Sequence, residues 1–133
     1  MLPNPKAKWL EPISWADVTA LNARLCEVKG ALHKPTSDGH AVTRDLWERS
    51  RTTELTLEEA IVICHRCHRL APFCFFNGNT FVAIARGIIK PVLEKLTVRD
   101  PLRAAVFRSV VGHYVAGTEE LEALRNALRE ALE

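Results

Sequence analysis

The sequence predicts an all-α protein, a compact bundle of about five to six helices around one central apolar helix. Three observations lead there. Apolar residues recur at helical spacing in most segments, and no period-two alternation runs long enough for a strand. Helix start signals, a hydroxyl residue followed three positions later by an acid, occur at Ser14/Asp17 and Thr56/Glu59. Residues 81–89 are apolar nearly all round, the pattern of a helix enclosed by others. The 133 residues, 47% apolar, suit one domain that buries a core without disulfides or metal, with residues 1–12 as an extended N-terminal arm.

Each element has its own signals. The first helix opens at Ser14, carries Val18, Leu21, Leu25 and Val28 at helical spacing, and stops at Gly30. Pro35, Thr36, Ser37, Asp38 and Gly39 form a turn cluster, after which a short second helix is expected over 43–51. The third starts after Thr56. At 100° per residue, Leu57, Ala60, Ile61, Cys64, His68 and Ala71 share a face. Pro72 disfavours helical geometry at Ala71 and ends it. Asn77-Gly78 supplies left-handed backbone, and Asn79 or Thr80 caps the apolar fourth helix, 81 to about 89.

Pro91 fits either the first turn of a new helix or a kink in a longer one running to Leu96. Asp100-Pro101 is a cap followed by proline at the first helical position, with Leu102, Ala105, Val106, Ser109 and Val110 on one side of a fifth helix. Gly117-Thr118 breaks the chain. Glu119 and Glu120 suit the first turn of a sixth helix, whose stripe is Leu121, Leu124, Leu128 and Leu132.

Charge and composition narrow the function. The net charge of +2 comes from interspersed signs with no long like-charged run, so neither nucleic acid nor a membrane surface is an expected partner. Arg44, Arg49 and Arg51 beside Trp47 read as a solvated face around a half-buried ring. With no signal peptide and no span, a cytoplasmic location is expected, where Cys26, Cys64, Cys67 and Cys74 stay reduced.

Two chemistries attach to the cysteines. Cys64-His65-Arg66-Cys67-His68 has the spacing of covalent haem attachment, but no export signal and no methionine beyond Met1 accompany it. Cys64, Cys67, His68 and Cys74 could converge as thiolate and imidazole ligands on zinc. The alternative is that the cysteines pack as small apolar residues while His68 makes one hydrogen bond, and no cofactor is then expected. His113 and Tyr114, with Arg108 a turn away, could line a polar pocket; a histidine satisfied at a helix C-terminus is the simpler reading.

The loop after Pro72 is the most unusual segment. Phe73, Cys74, Phe75 and Phe76 place large or soft apolar side chains where a loop is normally polar, so they are either packed inside or presented to a partner. The order Phe75, Asn77, Gly78, Asn79 between an amphipathic and an apolar helix resembles the motif of Fic domains over about twelve residues. That resemblance implies a small all-α fold that transfers a nucleotide monophosphate to a protein hydroxyl, with this loop gripping phosphates and magnesium. It retains Phe75 as the anchor, with Gly78 and Asn79. Phe73 stands at the place of the histidine base, Asn77 replaces the magnesium-binding acid, and Thr80 and Phe81 stand where a small or basic residue and an arginine belong. The implication is a catalytically dead, nucleotide-binding relative.

No base, nucleophile or metal set is complete in the sequence. The expected function is therefore protein–protein binding or self-association without catalysis, through Phe73, Phe75, Phe76, Asn77, Gly78 and Asn79. Trp9, Trp15 and the α-helical leucine stripe near the C-terminus add apolar surface. The alternatives are the degenerate Fic-like nucleotide-binding domain and a zinc-binding regulatory protein.

Overall fold

The computed structural model describes residues 5–133 and contains six helices: α1 (Trp15–Lys29), α2 (His40–Arg51), α3 (Leu57–Leu70), α4 (Asn77–Arg99), α5 (Pro101–Ala116) and α6 (Leu121–Leu132). Among the described residues there is no sheet, only two isolated antiparallel bridges, Ala7 with Leu55 and Pro35 with Phe73. The expected all-α fold is what is found. No helix is long and apolar enough to cross a membrane.

Both capping boxes form as the sequence dictates. Ser14 Oγ accepts from the Asp17 amide while Asp17 accepts from the Ser14 amide, and Thr56 and Glu59 do the same. Asp100 caps α5 by accepting from the Arg103 amide, with Pro101 directly behind it. Glu119 and Glu120 precede α6 rather than lying in its first turn, where Glu122 is the acid.

The apolar fourth segment is the central post. Phe81, Ile84, Ala85, Ile88 and Ile89 are buried, and α1, α3, α5 and α6 all pack against α4. Pro91 lies inside this helix, which continues past Leu96 to Arg99, so proline marks a point within one long helix and not the start of another. The helix also begins earlier than expected, at Asn77.

Two helices are rotated from the face their sequence suggests. In α1 the buried residues are Trp15, Val18, Asn22 and Cys26, whereas Val28 is 75% exposed. In α5, Ala104, Phe107, Val111 and Val115 face the core while Leu102 is 76% exposed. The rings decide: burying Trp15 and Phe107 removes more apolar area from water than burying the aliphatic residues they displace. The N-terminal arm, read from residue 5 onward, is not free. Ala7 and Leu55 exchange two backbone hydrogen bonds of 2.8 Å, and Leu10 is fully buried. The first four residues of that arm lie outside the described residues.

Candidate functional site

The segment between α3 and α4 is shaped by backbone restrictions and two asparagines. Ala71, forced off the helix by Pro72, adopts a left-handed conformation (φ 50°). The chain then pairs with the α1–α2 connection, Thr36 donating to the Pro72 carbonyl and Cys74 to the Lys34 carbonyl, each at 3.0 Å. This pairing points Phe73 inward, where it stacks on Trp15 at 5.9 Å and meets the rings of His33 and His40. Asn77 closes the loop as a surrogate backbone, accepting from the Phe73 amide at 3.0 Å and donating to the Phe73 carbonyl at 2.7 Å. Asn22, buried in α1, donates to the Phe75 carbonyl at 2.8 Å and to Thr80 Oγ1 at 3.1 Å.

Phe76 sits at the N-cap of α4 in a left-handed conformation, φ 61° and ψ 33°. For a bulky residue that conformation costs about 1–2 kcal/mol. The left-handed residue is thus Phe76 and not Asn77 or Gly78, because Asn77 is committed to Phe73 and the helix already runs through Gly78. Neither Asn79 nor Thr80 caps it; no side chain does. The first-turn residues Asn77, Gly78 and Asn79 instead face a cleft of about 1040 Å³.

The far walls of this cleft come from the end of α3, the middle of α4 and α5, and they are cationic. Arg69, Arg86 and Arg108 line it together with His68, and no carboxylate does. None of the three arginines forms an ion pair among the described residues. Arg86 lies flat against Gly112 of α5: a Cβ there would come within 2.5 Å of Arg86 Nη2 and 3.0 Å of its Cζ. Its Nε is buried without a hydrogen-bond partner. Burial, and then the nearby Arg108 guanidinium, hold the Arg86 pKa below its ordinary value. His68 donates from Nδ1 to the Val115 carbonyl at 2.9 Å, and its ring stands over Gly78. Three guanidinium groups, an uncapped helix N-terminus and no acid give the cleft the chemistry that pairs with an oxoanion.

The structure redistributes the residues expected from sequence. Asn77, Gly78 and Asn79 share the cleft with Phe76, but Phe73 is 1% exposed and is removed from any docking surface. Phe75 stays 48% exposed. Trp15 and Leu124, Leu128 of the C-terminal stripe are in the core, so most of the apparent surplus of apolar surface is internal. The expected zinc ligands do not converge. Cys64 and Cys67 are buried, with thiol pKa values pushed up by desolvation, Cys67 to about 12, whereas Cys74 is exposed on the loop that pairs with Lys34. Among the described residues no three His, Cys, Asp or Glu side chains are grouped to hold a metal.

Other candidates separate too. His113 bonds Thr118 Oγ1 at 2.9 Å beyond the C-terminus of α5, Tyr114 packs on His65, and only Arg108 reaches the cleft. Trp47 is fully buried, not half-buried, and donates to the Ile13 carbonyl, so it is no stacking surface. Sequence reasoning passed over Arg86, Arg69 and Gly112; a cation interrupting an apolar helix was the one visible sign of the first. No protein-family model matches the chain, and neither a curated protein nor a solved structure matches it.

Proposed function

We propose that this protein acts by binding rather than catalysis, and that its cleft takes the phosphate of a phosphate-bearing ligand. The observation that carries the reading is the pair Arg86 and Arg108, brought together without a carboxylate. Like charges so placed repel, and a bidentate oxoanion replaces that repulsion with hydrogen bonds to charged donors, each contributing about 1.5–3 kcal/mol. The amides of Asn77, Gly78 and Asn79 add the positive end of α4. The Fic-like resemblance supports the same residues for a nucleotide's phosphates, while Phe73 in the core leaves no base at the motif's histidine position.

Amide NMR during titration with pyrophosphate and with ATP tests this. Shifts are expected at Asn77, Gly78 and Asn79, and their loss is expected when Arg86 and Arg108 are both replaced by alanine with helicity retained. Spectra unchanged at millimolar ligand would remove the reading.

The exposed Phe75 supports a second reading, contact with a protein partner or a second copy of the chain. Phe75→Ser should leave the fold intact, since the ring is half outside. Sedimentation of the two proteins at high concentration then decides. An unchanged distribution of masses rules out self-association through this ring.

A further inference from the structure

The charged groups of the cleft, the guanidinium groups of Arg69, Arg86 and Arg108, are all donors, and the Asn79 carboxamide beside them offers both a donor and an acceptor. His68 differs from these in presenting a ring nitrogen. Its Nδ1 lies 2.9 Å from the Val115 carbonyl oxygen, which can only accept, so the ring proton of neutral His68 resides on Nδ1. His65 Nδ1 approaches the same oxygen at 3.2 Å, where the second lone pair of the carbonyl accepts it. Nε2 of His68 therefore carries a lone pair. It receives no hydrogen bond among the described residues, and it sits 3.3 Å from where a Gly78 side chain would begin, over the first turn of α4. Glycine at this position keeps the approach open.

We infer that His68 Nε2 is a specificity-determining acceptor, and that the cleft selects a phosphoryl group that still carries a proton over an oxoanion that carries none. This inference rests on the phosphate-binding reading above and goes beyond it to the protonation state of the ligand. Arg86, Arg108 and the amides of α4 bind the unprotonated oxygens, and the P–OH donates to His68. A fully ionised oxoanion of the same shape, such as sulfate, sets an oxygen lone pair against the Nε2 lone pair. A polar group matched to a donor rejects the analogue that lacks it, because its own lone pair is then left unpaired.

Calorimetric titrations with inorganic phosphate and with sulfate near pH 8 test this. At that pH phosphate keeps one proton and sulfate carries none. Phosphate should bind about tenfold or more tighter than sulfate, and His68→Leu should bring the two affinities together while sulfate binding persists. If the leucine variant fails to fold, the imidazole ¹⁵N shifts of the unmodified protein give the same answer: a free Nε2 lone pair without ligand, hydrogen-bonded with phosphate and unchanged with sulfate. Equal affinity for both anions overturns the inference and leaves the cleft reading standing. A preference that survives in His68→Leu overturns it as well. Binding of neither anion overturns both.

Discussion

At the scale of single residues, the cleft depends on two glycines that admit other side chains. Gly112 lets Arg86 lie against α5, and Gly78 lets the His68 ring approach α4. A methyl group at position 112 would meet the far end of a flexible side chain, which can swing away, and alanine is the better helix former by up to about 1 kcal/mol. Gly112→Ala should therefore leave the melting temperature equal or slightly higher while weakening pyrophosphate binding about tenfold, the loss of one charged hydrogen bond. A paired melt and titration checks both. Unweakened binding would mean that Arg86 does not touch the ligand. Nothing in the sequence shows this glycine's role, because its partner lies on another helix. The sequence offers Arg108 only as a pocket neighbour of His113 and Tyr114, and its pairing with Arg86 is visible only once the fold brings α4 and α5 together.

At the scale of elements, local rules worked where the interaction is local. The capping boxes at Ser14/Asp17 and Thr56/Glu59 depend on neighbours three residues apart and were legible. Accepting these amide hydrogen bonds first of all, Asp17 and Glu59 have folded pKa values below their ordinary 3.8 and 4.5. A lowered folded pKa stabilises the fold above the unfolded value and loses that effect as pH falls through the folded value. Helicity melts should fall in temperature below about pH 4.5, and the Asp17→Asn, Glu59→Gln double variant should show a smaller fall over that range. An equal fall in both proteins would assign acid sensitivity elsewhere. The rotations of α1 and α5 were not legible, because which face a helix buries is set by its neighbours. Asn22, a polar residue on the inner face of α1, is explained only by the Phe75 carbonyl and Thr80 hydroxyl it meets.

At the scale of the whole molecule, one core joins the helices. Cys26 in α1 and Cys64 and Cys67 in α3 are buried in it, while Cys74 faces solvent. A thiol reagent should modify one cysteine promptly and the other three together, in a single transition as denaturant is raised, if unfolding is two-state. Stepwise modification of Cys26 ahead of the α3 pair would show α1 detaching separately. The layout of the cleft carries a different consequence. All its residues fall between His68 and Ala116, on three successive helices and the connection between the first two. Contacts that are close along the chain need little loop-closure entropy and form early. The walls supplied by α3, α4 and α5 can thus take shape first, whereas the loop at the mouth of α4 is held by Asn22, Trp15 and the α1–α2 connection, so the cleft is completed only when α1 docks and its closure reports that late step.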